Sequence, residues 1–444
     1  MQKKSRMIAL GAMAIAGSLS LTGCLGGGGA APKGDDGETV LRIASAETAD
    51  SAIKAMQEAG DRYEEETGVK VIVEAVPLTD IYTKVNSVYG TRAAYSAFAT
   101  GFHGHVQLLQ AEDKVVPVDD IIDRLGGEED FYDGHILFPI DDKDYWLPFD
   151  YNLAYGIIRT DWLEQVGMEI PTTQEELLDV AKAFDELSPN TSGVMMPLKA
   201  DDSANWITSQ VLWAQGVRIF DDNWEVIVDE GDMAEKTTAG LEYLKELHQY
   251  MPDRADNATY GDMLETFIGE QVGITFYTGR MFDNIIAQNP ELIDNVAIFG
   301  MPMADGDGVT AGLGYDGFSV LKTEHTDETL KFMEWYFENE LINLYASSPL
   351  HYQPAQRSFW EREDWKKLPA IEKYGERLMD PLVEFIDNAD MHSIDSDGPY
   401  ADFRAGQVFQ SMVFPQAYQK ATFGGESPEE ITTWLGDAVR DAIK

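Results

Sequence analysis

The chain has 444 residues, of which 78 are Asp or Glu and 33 are Lys or Arg, so its formal net charge is −45 at pH 7. This charge argues against nucleic-acid binding, because phosphates are bound by clustered Lys and Arg. With 44% hydrophobic and 11% aromatic residues, the chain is also too apolar for a disordered acidic tail. Its length predicts a globular protein of two domains.

The first 23 residues are typical of a secretory signal peptide. A basic head at residues 3–6 precedes the uncharged apolar run 7–21, which is shorter than the ~20 residues needed to span a bilayer. The sequence LTGC, ending at Cys24, resembles the lipobox of prokaryotic lipoproteins, in which the chain is cut before the cysteine and the sulfur receives a lipid. We therefore expect Cys24 to be the lipidated first residue of the mature protein. The alternative is an ordinary signal peptide with an incidental cysteine.

Cys24 is the only cysteine, so neither an internal disulfide nor a thiolate metal site is expected. Residues 24–37 have the Gly-rich composition of a flexible tether. Removal of residues 1–23 takes away three cations and no acids, which leaves 30 − 78 = −48 charges. High salt would screen the repulsion between these acids. We expect a halophilic source, with an acidic surface aimed at a cationic partner as the alternative.

The body opens with a strand at 40–44, a helix at about 52–66 that ends at Gly68, and a strand at 69–76. This spacing is typical of a βαβ unit and predicts a parallel sheet.

Capping patterns predict further helices. They begin at Thr173, which has Glu176 three residues later, at Thr326, and at the Ser427-Pro428-Glu429-Glu430 signature. Strands are predicted at 272–277, 295–302 and 317–322. The alternation of strands and helices predicts an α/β fold.

No complete catalytic or metal-binding motif is present. Residues 312–317 match G-x-G-x-x-G, but a strand follows instead of the helix that would receive a nucleotide phosphate. His103 and His105 lack spaced partners, so we expect them in a solvated loop and not at a metal. We predict no catalytic residue, metal or cofactor. Sequons at Asn190 and Asn257 permit glycosylation.

Residues 147–184 run from a Pro-aromatic strand through an apolar strand, an Arg-Thr-Asp-Trp-Leu turn, a Gly and a Pro-x-Thr to a capped helix. This order resembles family 1 extracellular solute-binding proteins, the sugar-binding receptors of ABC importers. Residues 267–337 and 414–439 resemble the same family, so the resemblance covers nearly the whole mature chain. Residues 98–106 depart from it, because they lack the family's usual Pro-Asp-Val-type strand.

The resemblance implies a two-lobe, type II periplasmic-binding-protein-like fold, with a hinge and a cleft that closes over the ligand. We place lobe one at 38–150 and 270–322, and lobe two at 151–269 and 323–444. The resemblance also implies a receptor that passes a sugar or oligosaccharide to ABC permease subunits. Together with the lipobox at Cys24, we expect a monomer anchored to the outer face of the cell membrane. The alternatives are a receptor for another solute, such as a polyamine or peptide, and an anchored glycan hydrolase that uses two acids.

The predicted ligand-binding residues lie where the family's chain crosses between lobes. Aromatic rings can stack on the apolar C–H face of a pyranose, and convergent polar groups can bind its hydroxyls. We expect ligand contacts from Tyr151, Asn152, Trp206, Tyr277, Arg280, Tyr315, Asp316 and Tyr400. For each aromatic residue among these, packing in the core is the alternative.

Overall fold

The computed structural model describes residues 39–131 and 136–444, so the predicted signal peptide, Cys24 and the tether lie outside the described residues. In chain order the strands are β1 (Val40–Ser45), β2 (Lys70–Ala75), β3 (Ala97–Thr100), β4 (Leu147–Tyr151), β5 (Tyr155–Arg159), β6 (Ser192–Met195), β7 (Val272–Tyr277), β8 (Val296–Phe299), β9 (Met301–Pro302), β10 (Val309–Gly312), β11 (Tyr315–Val320), β12 (Gln353–Pro354) and β13 (Asp390–His392).

The helices complete the α/β arrangement. They are α1 (Asp50–Thr67), α2 (Leu78–Val88), α3 (His103–Ala111), α4 (Asp119–Arg124), α5 (Thr160–Val166), α6 (Gln174–Asp185), α7 (Gln210–Trp213), α8 (Gly231–His248), α9 (Tyr260–Ile268), α10 (Arg280–Gln288), α11 (Thr326–Asn339), α12 (Leu341–Ser347), α13 (Arg357–Trp360), α14 (Glu363–Lys366), α15 (Pro369–Tyr374), α16 (Asp380–Asn388), α17 (Phe403–Ser411), α18 (Val413–Gln419) and α19 (Pro428–Ala442). Among the described residues, no helix combines the length and the apolar character needed to cross a membrane.

The first sheet has the strand order β12-β4-β11-β3-β1-β2. β1 pairs in parallel with β2 and β3, which confirms the predicted βαβ unit. α1 buries Met56, Ala59 and Tyr63, whose spacing places them on the face that packs on β2. The helix ends at Gly68, which adopts the left-handed conformation with φ 78°.

The second sheet has the order β6-β7-β5-β8, and a small third sheet has the order β13-β10-β9. Every residue of β5 and β7 is buried, as expected for central strands covered on both faces. The predicted strand 295–302 is divided between β8 and β9, which lie in different sheets.

Two of the predicted helix starts are found as expected. Thr173 accepts a hydrogen bond from the Glu176 N–H, and Ser427 with Glu430 forms a complete capping box. His325 is the N-terminal cap of α11, one residue before the predicted Thr326.

Sheet membership corrects the predicted grouping of residues at several elements. The prediction assigns residues 270–322, which include β7 and β8, to the same lobe as residues 38–150. Both strands instead pair with β5 in the second sheet. α11, which was grouped with the second lobe, packs on β11 of the first sheet through Phe318 and Tyr336, whose ring centroids are 5.6 Å apart. Hydrophobic patterning identifies a strand or helix but not its partner. The remaining lobe boundaries stay a prediction.

The chain crosses between the sheets at two segments that lie side by side. Residues 152–154 join β4 to β5, and residues 313–314 join β10 to β11. The Asn152 N–H donates to the Gly314 carbonyl at 2.8 Å, and Ala154 and Gly312 exchange two hydrogen bonds of 2.9 Å. A Cβ atom at Gly314 would lie 2.1 Å from the Asn152 carbonyl oxygen, so only glycine allows this approach. We call residues 152–154 and 312–314 the hinge.

Candidate functional site

A pair of buried carboxyl groups lies beside the hinge. Asp150 on β4 and Asp316 on β11 are register partners, so their side chains lie on the same face of the first sheet. The Asp316 N–H donates to Asp150 Oδ1 at 2.9 Å, and Asn152 Nδ2 donates to Asp316 Oδ2 at 3.4 Å. Asp150 is fully buried, and 4% of the Asp316 surface is exposed to solvent. We call Asp150 and Asp316 the hinge acid pair.

An ion pair next to these acids joins the part of the molecule built on the first sheet to the part built on the second sheet. We call these parts the two halves. Arg280 begins α10, directly after β7 of the second sheet, and its Nη2 donates to Glu47 Oε2 at 2.6 Å. Glu47 follows β1 of the first sheet, and it also accepts a hydrogen bond of 2.8 Å from the Tyr352 hydroxyl. Arg280 Nη2 lies 2.6 Å from His351 Nε2 as well. We call Glu47–Arg280 the interlobe ion pair.

The pKa shifts in this region follow from burial and the shortage of cations. Burial raises the pKa of both Asp150 and Asp316 well above the ordinary value, and the nearby acids raise it further, whereas Arg280 opposes the rise. Burial and then the Arg280 cation lower the pKa of His351. His351 is therefore neutral, and it accepts a hydrogen bond from Arg280. Burial lowers the pKa of Arg280, but Glu47 and its neighbours raise it by more, so the guanidinium stays charged.

Trp206 covers the hinge from the second half of the molecule. It lies in a π-helical turn, Ala204–Thr208, a conformation that is frequent at functional sites. A Cβ atom at Gly314 would lie 2.3 Å from its Cζ2, and one at Gly312 would lie 3.3 Å from its Nε1. Within the described chain, the buried Nε1 has no hydrogen-bond partner, and neither have Asn152 Oδ1 and Asp150 Oδ2. Buried polar atoms normally have partners, so these three atoms are unsatisfied within the described chain.

Two tyrosines lead from the interlobe ion pair towards the surface. Tyr277 ends β7, and its ring lies parallel to that of Tyr260, with 3° between the planes and 6.2 Å between the centroids. Tyr277 is buried, whereas Tyr260 is 52% exposed. Tyr260 is held at the start of α9, after a capping box formed by Thr259 and Asp262. The Tyr260 ring therefore lies parallel to the buried Tyr277 ring and presents aromatic surface to the solvent.

The structure brings together a subset of the predicted site residues. Those that lie around the hinge and the interlobe ion pair are Asn152, Trp206, Tyr277, Arg280 and Asp316. Their role in ligand binding stays a prediction.

Three predicted aromatic residues lie elsewhere. Tyr151 and Tyr315 are buried, 0% and 1% exposed, on the sheet face opposite to the hinge acid pair, because side chains alternate along a strand. The Tyr315 hydroxyl donates to Asp395 Oδ1 at 3.1 Å. Tyr400 is 60% exposed, and its ring lies 5.6 Å from that of Trp224.

Sequence reasoning missed several residues of this site: Glu47, Asp150, Tyr260, His351 and Tyr352. Glu47 had a usable signal, because it follows the carboxyl end of a predicted parallel strand, where ligands bind in α/β sheets. Asp150 lies next to the predicted Tyr151 but faces the other way. No local pattern distinguishes Tyr260, His351 or Tyr352, whose positions depend on contacts with distant parts of the chain.

The prediction of a solvated histidine pair is wrong. His103 and His105 begin α3 and are only 0% and 2% exposed, because this helix packs against α17. His105 hydrogen-bonds to the Thr100 hydroxyl at 2.8 Å and to Gln410 at 2.7 Å. Burial lowers the pKa of both imidazoles to about 3, so both are neutral at ordinary pH.

A second contact joins the halves through backbone atoms. The Gly104 N–H on α3 donates to Asp395 Oδ2 at 3.0 Å. Gln107 donates to the Asp395 carbonyl at 2.9 Å and accepts from the Gly406 N–H on α17 at 3.1 Å. A Cβ atom at Gly406 would lie 2.7 Å from the Gly104 carbonyl oxygen, so glycine is required. We call Gly104, Gln107, Asp395 and Gly406 the glycine clasp.

One group of side chains has the composition of a metal site. Glu47, Asp316 and His351 each place a possible ligand atom within 4.8 Å of the others. However, the Arg280 guanidinium already contacts Glu47 and His351, and its charge would repel a metal cation. This group therefore does not fit a metal ion.

Comparison with known proteins defines the class. Residues 45–341 match the model of the bacterial extracellular solute-binding protein family, so the chain belongs to this family. A putative ABC transporter periplasmic-binding protein of Escherichia coli, YcjN, is 23% identical over 332 residues, which are 70% of this chain and 73% of YcjN.

Solved structures share the two-lobe α/β fold. An ABC transporter solute-binding protein from Thermotoga lettingae, bound with alpha-D-tagatose, has a TM-score of 0.73 and 14% identity, and the match covers 92% of this chain and 100% of that one. A sugar transporter protein from Arthrobacter chlorophenolicus with bound laminaribiose also has a TM-score of 0.73 and 14% identity. That match covers 92% of this chain and 100% of the other.

Proposed function

We propose that this protein is an extracytoplasmic receptor that binds a sugar or oligosaccharide between its two lobes and delivers it to an ABC importer. The observation that carries the proposal is the meeting of Asn152, Trp206, Arg280 and Asp316 at the hinge, from elements of both large sheets. The sugars bound to the structural neighbours support it.

The chemistry of the hinge suits a polyol. Trp206 Nε1 offers a donor, and Asn152 Oδ1 and Asp150 Oδ2 offer acceptors, all without partners among the described residues. A hydroxyl group both donates and accepts, so sugar hydroxyls can satisfy both kinds of atom. Each unsatisfied buried group costs about 1–3 kcal/mol, which ligand binding would recover. The rings of Tyr277 and Tyr260 add a stacking surface for a pyranose face.

The proposal includes a lipid anchor and excludes catalysis. Cys24 ends the LTGC sequence and precedes a Gly-rich tether, so lipidation there would hold a monomeric receptor at the outer face of the membrane. Mass spectrometry of the mature protein tests this, and an uncut chain with unmodified Cys24 contradicts it. Glycosidase carboxyls stand at least about 5 Å apart to flank the scissile bond, whereas the Asp150 carboxyl accepts a hydrogen bond from the backbone N–H of Asp316 itself.

A thermal-shift screen of the mature protein in high salt tests the function. The probes are tagatose, maltose and laminaribiose, with spermidine and a tripeptide as non-sugar solutes. We expect a sugar to raise the melting temperature, because a ligand that binds only the folded state stabilises it. A shift with the non-sugar solutes alone contradicts the sugar assignment. The sugar should be recovered intact after long incubation, since hydrolysis products would favour the hydrolase alternative.

A further inference from the structure

The hinge acid pair lies where the chain turns from one lobe to the other. Asp150 is two residues before Asn152, and Asp316 is two residues after Gly314. The two strands that carry them hold the acids together, with Asp150 Oδ1 accepting from the Asp316 N–H at 2.9 Å. In residues 39–131 and 136–444, Asp150 Oδ2 has no hydrogen-bond partner. Any change at the hinge therefore alters the surroundings of both carboxyls.

The groups that face the pair do not neutralise it. Glu47 after β1 adds a third acid, and the Arg280 cation donates to Glu47 and to His351 and not to the pair. The Tyr352 hydroxyl donates to Glu47, and the Tyr345 hydroxyl on α12 donates to the Phe149 carbonyl.

Among the described residues, no cation forms an ion pair with Asp150 or Asp316. Two adjacent carboxylates without a counter-charge are strongly unfavourable in a buried site, so such pairs retain a proton. The coupled site titrates as a unit, and the proton belongs to the pair rather than to either residue.

We propose that Asp150 and Asp316 hold one proton between them while the lobes are closed, and release it to the solvent when the lobes separate. Acid then favours the closed receptor, and alkali favours the open one. Any resulting dependence of ligand affinity on pH rests on the proposed function. The shared proton and its link to lobe motion do not.

The direction in which the pKa of the hinge acid pair changes on opening follows from the relative size of the effects on the two acids. Burial is the largest cause that raises the pKa of both acids, and the opposing Arg280 cation is a smaller one. Opening admits water and withdraws Arg280 with the second sheet, so the loss of burial outweighs the loss of the cation. The pKa of the pair falls on opening, and the closed form binds one proton more. Between the pKa of the pair in the open form and its pKa in the closed form, the closed-to-open ratio falls by up to about tenfold per pH unit as the pH rises. This is the limit for one linked proton.

Infrared spectroscopy of the mature protein without ligand tests the proton directly. At about pH 6 the closed form is favoured and isolated Asp groups are ionised. The wild-type spectrum minus that of Asp150→Asn, or of Asp316→Asn, should then contain the C=O band of a neutral carboxylic acid, because the remaining acid no longer faces a second carboxylate. Other buried acids, such as Asp202, whose pKa burial raises to about 7, contribute equally to both spectra and cancel. Asp221→Asn is the control, because hydrogen bonds from the backbone lower the pKa of Asp221, so its difference spectrum should lack the band. Absence of the band from both hinge difference spectra overturns the proposal.

A distance measurement between spin labels on the two lobes tests the link to closure. The wild type should shift from closed towards open between about pH 6 and about pH 9, whereas Asp150→Asn, an uncharged mimic of the protonated acid, should not shift. A wild type with no pH dependence contradicts the proposal, and so does a shift of equal size in the variant. If no sugar binds in the thermal-shift screen but both of these results hold, the proposed function fails and the proton-linked hinge stands.

Discussion

The interlobe ion pair and the glycine clasp join the same two halves by different means. Glu47 and Arg280 meet through long side chains, whose rotations can absorb a small displacement. Gly104 and Gly406 meet through backbone atoms, which tolerate almost none. A small displacement therefore leaves the ion pair intact and breaks the clasp, whereas a large one separates both. In the proposed receptor, the tolerant contact would lie beside the ligand and the strict one away from it.

The largest effect is expected from breaking the ion pair on one side only. Arg280→Met leaves the Glu47 side chain, 12% exposed, next to the hinge acid pair without its cation. Removal of one partner from a buried pair costs about 3–5 kcal/mol, and we expect the lower end because Arg280 is 21% exposed. Denaturant unfolding in high salt measures this loss. The double variant Glu47→Gln/Arg280→Met should recover most of it, and a double variant as unstable as the single one would contradict the ion-pair explanation.

Overpacking of the clasp should have the next largest effect. Gly406→Val places side-chain atoms where a Cβ already lies 2.7 Å from the Gly104 carbonyl oxygen. Overpacking typically costs about 1–3 kcal/mol, and here we also expect a shift towards the open form. Unfolding and inter-lobe distance measurements would show both changes. Gly261→Ala is the control, since its Cβ would meet only Thr259 Oγ1 at 3.6 Å. An unchanged lobe distance in Gly406→Val would show that the clasp does not limit closure.

Acid should favour closure through the hinge acid pair but should destabilise the fold through the buried histidines near the glycine clasp. His103 near the clasp has a pKa of about 3 in the folded protein against about 6.5 unfolded. The unfolded chain therefore binds more protons below pH 6.5, and the stability of the fold falls as pH decreases. At about pH 5 this costs about 2 kcal/mol per histidine.

His103→Leu should remove one proton's share of this acid sensitivity, measured as the difference between wild-type and variant unfolding free energies at two pH values. An identical pH dependence in the two proteins would be inconsistent with the buried neutral histidine. His325→Gln, at a partly exposed position, serves as the comparison variant.

The smallest effect is expected from a residue that lies outside the interlobe ion pair and the glycine clasp and that we propose contacts the ligand. Tyr260→Ala should weaken binding of the sugar identified by the thermal-shift screen about tenfold or less, because aromatic stacking contributes about 0.5–1.5 kcal/mol. Tyr260→Phe should retain most of the affinity. Phe423→Ala alters another exposed ring, 48% exposed, and should have no effect. Isothermal calorimetry distinguishes these cases, and equal affinities for wild type and Tyr260→Ala would remove Tyr260 from the site.

Local patterns were sufficient for the parts of the fold that depend on neighbouring residues. The βαβ unit and the cap at Ser427 follow from periodicity and hydrogen bonding within a few positions. The partners of β7 were not predictable in this way, because β6 and β5 lie about 80 and about 120 positions away in the sequence.

The site shows the same limit. Tyr315 and Asp316 are adjacent and were both predicted to contact ligand, yet one donates to Asp395 and the other lies at the hinge. Which face of β11 meets the hinge is set by its register with β4. Residue identity predicted the chemistry, and only the sheet decides which side chain is in place to use it.

The two hydrogen-bonded crossings have a further consequence for the order of events during binding. Since Ala154 and Gly312 are hydrogen-bonded to each other, a rotation of the lobes that keeps these bonds has its axis close to both residues, and displacement grows with distance from that axis. In the proposed receptor, Trp206, which touches the crossing, would move less than contacts farther out, such as Tyr260. The solute would then meet Trp206 in nearly its final position, and the contacts farther out would form on closure.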